Sequence, residues 1–274
     1  MPRSVLITGC SAGGIGSALV EEFHARGLYV YATARSAAKM SHLKQLPNVT
    51  LLELDITDPS SIEAAVQAVH KDTGGKLDIL FNNAGQSMVF PALDSSIDDS
   101  KKLFDANLWG TIAITQAFAP FVIAAGGSIV NVCSISGFLY APWMGVYNAS
   151  KAALMSWSET LRLELEPFSV RVVSLVTGSV ATNVMSHAEL RLPATSLYQK
   201  AIQEIQKRGV GEDVQSKSSP AGFAKAVVGD ILRGATSPLW RGAMASAVRI
   251  MSSLLPISVV DRAMKAGTGL DHLP

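Results

Sequence analysis

Three side chains in the stretch SISGFLYAPWMGVYNASK, residues 134–151, have the types and spacing for proton chemistry on an oxygen atom. Lys151 follows Tyr147 by four positions, so a helix opening at Tyr147 puts both on one face, one turn apart. A neighbouring ammonium favours the ionised form of a phenol. A free tyrosine titrates near pH ~10, and such a neighbour moves it toward use as an acid or base at neutral pH. Ser134 closes the apolar run SIVNVCS, which reads as a buried strand delivering its hydroxyl to the strand's C-terminal edge. The tyrosine–lysine spacing alone arises by chance roughly one time in five in a chain of this kind. Its meaning rests on what the other residues build around it.

Those residues alternate between two periods. Residues 4–8 (SVLIT) are a short apolar run bounded by glycine, as expected of a fully buried parallel strand. A glycine-rich turn then leads into a helix over 17–26. Further strand-like runs lie at 28–33, 49–55, 77–81, 128–134 and 170–176. Asp58-Pro59 opens a helix reaching about residue 71, an N-cap acceptor followed by proline at the first helical position. Residues 97–125 read as one long helix that Pro120 kinks or breaks near its end. Another helix spans 147–166 and is stopped by Pro167.

This alternation predicts an α/β, single-domain Rossmann fold: a doubly wound parallel sheet with helices on both faces. Ligands of such sheets bind beyond the C-terminal strand edges, at the topological switch point. The whole of residues 1–274 is read as one domain. Within it, 183–220 is a polar substrate lid with a helix at 197–207, and 237–274 is an apolar C-terminal extension.

The turn Thr8-Gly9-Cys10-Ser11-Ala12-Gly13-Gly14-Ile15-Gly16 lies between the first strand and the first helix. There a dinucleotide's pyrophosphate can approach the backbone and face the helix N-terminus. The competing reading is a turn that needs glycine only for positive φ. The second strand ends in Ala34-Arg35 without a carboxylate. An arginine at this place accommodates a 2′-phosphate, where an acid would bind a 2′-hydroxyl. Arg35 therefore predicts NADP(H), and Asp55, too far along for the ribose, is assigned to the adenine.

Composition removes other classes. Net charge is +1, 48 % of residues are hydrophobic and 16 % are charged, which leaves no electrostatic footprint for nucleic acid. Cys10 and Cys133 are too few for a disulfide scaffold, point to a reducing, cytoplasmic setting, and are read as packing residues. The first residues lack the apolar core of a signal peptide, and no uninterrupted apolar run reaches the ~18 residues of a spanning helix. The nearest candidate, 243–260, is broken by Arg249 and Pro256.

The C-terminal extension is expected to cover the core. Peripheral contact with a lipid droplet or endoplasmic reticulum surface is the lesser reading, since Arg249, Asp261, Arg262 and Lys265 still allow an amphipathic helix. His24, His42, His70, His187 and His272 are scattered without ligand spacing, so no metal site is expected. Trp143, Met144, Met185 and Tyr198 are candidate pocket walls, and Ser136 is a rival to Ser134. Nothing in the sequence fixes an oligomeric state, and a homo-oligomer is compatible with it.

Taken together, T-G-x(4)-G-I-G at 8–16, Asp55-Ile56, Asn82-Asn83-Ala84-Gly85, Asn107, Ser134, Tyr147 and Lys151 resemble the short-chain dehydrogenase/reductase family over about residues 3–182. The resemblance implies that Tyr147 is the general acid in ketone reduction and that Ser134 orients the carbonyl. It implies that Lys151 binds the nicotinamide ribose and lowers the tyrosine pKa, and that Asn107 anchors a water in the proton relay. Gly9, Ser11, Gly14 and Ile15 would line the pyrophosphate, Asp55 and Ile56 the adenine, and Asn83 its ribose side. Val180 and Thr182 would meet the nicotinamide carboxamide.

Two features depart from the common family pattern: the glycine turn is one residue longer, and Thr177-Gly178 stands where Pro-Gly is usual. Both are similar to a fungal-type branch resembling NADPH-dependent 1-acyldihydroxyacetone-phosphate reductase, which also fits Ala34-Arg35 and Trp240-Arg241-Gly242. The expected function is transfer of a hydride from NADPH to a ketone of a small hydrophobic substrate, of lipid or secondary-metabolite type. The alternatives are oxidation of a steroid- or retinoid-like alcohol, or NADP(H) sensing without turnover.

Overall fold

Successive residues of the first strand, β1 (Ser4–Ile7), feed two different cores, as a two-residue repeat requires. Val5 and Ile7 enter the core on one face, Leu6 enters the core on the other, and all three are fully buried. The computed structural model describes residues 2–182 and 190–274. The remaining strands are β2 (Tyr29–Ala34), β3 (Val49–Glu53), β4 (Ile79–Asn82), β5 (Ser128–Ser134), β6 (Arg171–Thr177) and β7 (Leu239–Arg241). They form one seven-stranded sheet in the order β3-β2-β1-β4-β5-β6-β7, parallel at every pairing.

Helices cover both faces because both faces are apolar. The α-helices of the described residues are α1 (Ile15–Ala25), α2 (Pro59–Thr73), α3 (Ile97–Phe104), α4 (Gly110–Ala125), α5 (Gly145–Leu165), α6 (Ile202–Gly209), α7 (Pro220–Leu232), α8 (Ala245–Leu254) and α9 (Ile257–Lys265), of which α1, α2, α4, α5 and α7 pack on the sheet. Leu19 and Phe23 of α1 and Phe223 and Val227 of α7 fill one core. Ile62 of α2, Ile114 and Phe118 of α4 and Leu165 of α5 fill the other. The chain runs outward from β1 to β3, then returns to set β4 on the opposite side of β1. The switch point therefore lies between the C-terminal ends of β1 and β4.

A row of polar side chains crosses the second core. Asn82 of β4 donates to Asn131 of β5 at 2.8 Å, and Asn131 donates to Ser158 of α5 at 2.9 Å. Ser174 of β6 lies 2.8 Å from the Ser158 hydroxyl and donates to the Glu159 carboxylate at 2.6 Å. Ser237, just before β7, donates to the same carboxylate oxygen. Burial opposes ionisation of Glu159, but the donors Ser174, Ser237 and Arg162 outweigh it and hold the carboxyl below its ordinary value.

Three expectations change. A seventh strand follows the six read from sequence, since the three residues of β7 are too few to show an alternation. The 97–125 region is interrupted at Asp105–Trp109, a π-helical turn, and not at Pro120, which sits inside α4. Pro120 is exposed, and so is Gln116, whose carbonyl loses its helical partner there and can bond water. Among the described residues this region, and not 243–260, is the one long and apolar enough by length and composition to cross a membrane. In the fold its α4 part packs Ile114, Phe118 and Val122 onto the sheet. Residues 243–260 instead belong to two helices divided at Pro256.

Candidate active site

Beyond the switch point opens a cleft of about 620 Å³. One end is made by the glycine turn. Gly14 is the N-cap of α1, with no side-chain cap and no acidic residue in the first turn. The leading N–H groups are thus left for an anion. At Gly16 a Cβ would stand 2.3 Å from the Gly9 carbonyl oxygen, so α1 can approach the turn this closely only without a side chain. Asn83, at the end of β4, braces the turn from below. Its amide donates to the Thr8 and Gly9 carbonyls at 2.8 and 3.1 Å, while the Thr8 hydroxyl accepts from the backbone N–H of Asn83 and Ala84. Gly9, Ser11, Gly14, Ile15 and Asn83 all line the cleft.

Arg35, exposed just past β2, lines the same end together with Asp55 and Ile56. Burial works against the Asp55 charge, but two hydrogen bonds from Thr57 and the nearby Arg35 guanidinium outweigh it and hold the carboxyl below its ordinary value. The pair sets a fixed anion beside a cation whose outer face remains in solvent.

At the centre, Ser134 at the C-terminus of β5 and Tyr147 and Lys151 in the first turns of α5 line one wall. Tyr147 is the third residue of the helix, so the four-residue spacing to Lys151 does place both on one side. The Lys151 ammonium is buried, donates to the Val132 carbonyl at 3.0 Å and lies 6.0 Å from the Tyr147 ring centre. The Ser134 hydroxyl accepts from the Ser136 backbone N–H at 3.1 Å, and Ser136 also lines the cleft. Cys133 beside it is pushed up to about 12 by burial, against the pull of the Lys151 charge, and Cys10 is likewise pushed up to about 12 by burial. Both thiols stay protonated at neutral pH and act as packing groups.

Asn107 sits behind this wall, fully buried in the π-helical turn. Its side chain accepts from Gln86 N–H at 2.7 Å and donates to the Gln86 carbonyl and the Ser150 hydroxyl, each at 3.0 Å. Ser150 in turn donates to the Tyr147 carbonyl. Gly85 is wedged between Asn107 and Lys151: a Cβ there would lie 3.1 Å from Asn107 Oδ1 and 3.6 Å from Lys151 Nζ. A widened turn inside a helix is a common device at functional sites. Here it ties the loop after β4 to the helix carrying Tyr147 and Lys151.

The loop after β6 closes the far side with Val180 and Thr182. It is held by β7 and the residues after it: Gly178 N–H bonds Arg241, and Ser179 N–H bonds Ala243. A Cβ on Gly178 would stand 2.0 Å from the Ala243 carbonyl oxygen, so glycine here serves the close approach of the two segments. Beyond Tyr147 the walls turn apolar, with Leu139, Ala141, Met144, Val214, Met244 and Met264.

Of the expected wall residues, Met144 lines the cleft. Trp143 is buried, meets Tyr198 edge to face and donates to the Thr268 carbonyl, so these two rings are packing. Met185 and His187 lie outside the described residues. Sequence reasoning missed Met244, Met264 and Asp213, the partner of Arg208, which reach the cleft from 66 to 117 residues beyond Tyr147 with no local motif to mark them. Among the described residues no three His, Cys, Asp or Glu side chains cluster as metal ligands would.

Comparison with known proteins agrees with this geometry. The family model described as short chain dehydrogenase matches residues 3–191. A short-chain dehydrogenase of Penicillium crustosum is 46 % identical over 254 residues, covering 93 % of both chains. An NADPH-dependent 1-acyldihydroxyacetone phosphate reductase of Schizosaccharomyces pombe is 38 % identical over 277 residues, covering 96 % of this chain and 93 % of that one. Among solved structures, a short-chain dehydrogenase of Burkholderia cenocepacia in complex with NADP superposes with a TM-score of 0.75 at 26 % identity, covering 95 % of this chain and 97 % of that one.

Proposed function

This chain belongs to the short-chain dehydrogenase family, and from that premise we propose that it is an NADPH-dependent reductase of a neutral, hydrophobic ketone. The observation that carries the reading is the convergence of Ser134, Tyr147 and Lys151 on a cleft whose other end is the uncapped glycine turn. The turn fits a dinucleotide's pyrophosphate, Arg35 its 2′-phosphate, and Val180 and Thr182 its nicotinamide. The NADP complex of the Burkholderia protein and the NADPH-dependent yeast relative support the same choice. When bound, NADPH supplies the hydride for a C=O group.

The chain's own residues manage the oxygen. The Ser134 hydroxyl, held by Ser136 N–H, donates to the carbonyl oxygen and orients it. Tyr147 Oη gives that oxygen its proton as negative charge develops there. Lys151, anchored on Val132, holds its ammonium 6.0 Å from the Tyr147 ring centre, on the side of the cleft where the proton is exchanged. Asn107 acts through Gln86 and Ser150 as a positioning residue and supports the proton relay. The same groups in reverse serve alcohol oxidation.

The apolar walls favour a substrate without formal charge. Among the described lining residues Arg208 is the cation at that end, and it is already paired with Asp213 at 2.8 Å and bonded to the Pro142 carbonyl. A phosphate-bearing ketone would have to break that pair. The test is NADPH oxidation against matched neutral and phosphorylated lipophilic ketones, wild type beside Tyr147→Phe and Arg35→Ala. We expect turnover of the neutral series, a loss of about 10²- to 10⁴-fold in kcat for Tyr147→Phe, and weaker binding of NADPH but not NADH for Arg35→Ala. Equal turnover by Tyr147→Phe removes the assigned proton donor, and equal effects on both cofactors remove the 2′-phosphate role.

A further inference from the structure

The α8–α9 hairpin stands half in the fold and half out of it. Its base is packed: Ala245, Val248 and Val260 join Val176 and Trp240 in a small core, and Met244 and Met264 line the mouth of the cleft. Its tip is bare. Every residue from 252 to 259 is exposed, with Leu254 at 75 % and Ile257 at 64 %, and Leu255, Val259 and Ile250 add to the same surface. Residues 250–260 carry no charge. The sequence expectation that this extension covers the core holds for its base alone, and an exposed apolar cluster of this kind marks a contact surface.

The flanking charges say what the tip meets. Arg249 precedes it and Arg262 and Lys265 follow it, all three exposed, against the single carboxylate Asp261. Among the described residues none of the four forms an ion pair. Val259 and Arg262, and Ile250 and Leu254, each lie one helical turn apart, so apolar and cationic groups share the projecting end. A two-fold contact with a second copy would bring the same cation-rimmed surface against itself. Anionic headgroups instead neutralise the cations while the apolar tip enters the acyl boundary and the long basic side chains reach back to the interface.

We propose that the α8–α9 hairpin docks the protein on an anionic phospholipid surface through Leu254, Leu255 and Ile257. The mouth of the cleft, at Met244 and Met264, then opens beside the lipid. Docking does not depend on the catalytic reading, and its test reads no turnover.

The full chain is sedimented with vesicles of phosphatidylcholine alone and of phosphatidylcholine mixed with phosphatidylserine. Wild type is expected to partition onto the mixed vesicles, and Leu254→Trp is expected to show a blue-shifted emission on binding. Neutralising Arg249, Arg262 and Lys265 to Gln should weaken partitioning roughly fivefold per cation. Replacing Leu254, Leu255 and Ile257 with Ser should abolish it with thermal unfolding unchanged, since these side chains support nothing beneath them. The proposal fails if wild type stays in the supernatant with mixed vesicles, or if the serine variant sediments as wild type does. It also fails if the same serine substitutions turn a wild-type dimer into a monomer and vesicles bind neither, because the surface then belongs to a second copy.

Discussion

At the cofactor end of the cleft the backbone makes the walls, with Gly16 so close to the Gly9 carbonyl that a Cβ would stand 2.3 Å from its oxygen, and Asn83 spanning the turn. At the substrate end side chains make them, and Met244, Met264 and Arg208 arrive from helices or helix termini far along the chain. A backbone wall tolerates no added atom, whereas a side-chain wall can be recut one residue at a time. One end can thus hold a common ligand fixed while the other changes its substrate.

Substitution should separate the two ends. The largest effect is expected from Gly16→Ala, whose methyl has no room. Overpacking of about 1–3 kcal/mol in stability and at least about tenfold weaker NADPH binding are the outcomes, read by thermal unfolding and by fluorescence titration. Unchanged binding would mean that the turn is not a rigid cradle.

Glu159→Gln tests the seam by which the C-terminal segment is sewn to the sheet, since Glu159 takes hydrogen bonds from Ser174 of β6 and Ser237 before β7. The folded-state pKa lies below the ordinary 4.5, so its stabilisation is present above about that pH and is lost as pH falls through the folded value. Wild type should therefore exceed the glutamine variant in Tm at pH 7, by about 1 kcal/mol in stability, and the gap should close well below pH 4.5. A gap that persists in acid would assign the effect to shape and not charge.

The smallest effect is expected from Met264→Ala, a shift of roughly threefold to tenfold in KM for bulky ketones with NADPH affinity unchanged. A change in NADPH affinity instead would show that the two ends are not independent.

The same division explains what could be read in advance. Strand periodicity, the Asp58 cap and the Tyr147–Lys151 spacing are local, and they foretold six strands, the start of α2 and the wall at Ser134. What failed was non-local or below the length at which a pattern exists. The three residues of β7 show no period, and the π-helical turn at Asp105–Trp109 answers to Asn107 gripping Gln86, a contact across 21 positions. Met244 and Met264 looked like any apolar residues in an apolar tail. Their place at the cleft is decided by how Gly178 lets residues 242–245 fold back over β6.

The polar row across the sheet bears on how strands choose their neighbours. Asn82 pairs in register with Asn131, and Asn131 with Ser174. Alternation of aliphatic side chains rejects a slip of one position, which would turn each strand inside out, but a slip of two leaves the same face inward. Such a slip would strand the amides of Asn82 and Asn131 among hydrocarbon, at about 1–3 kcal/mol for each unpaired group. The aliphatic pattern thus polices odd errors and the amide row even ones, a parity check written into the middle of the sheet.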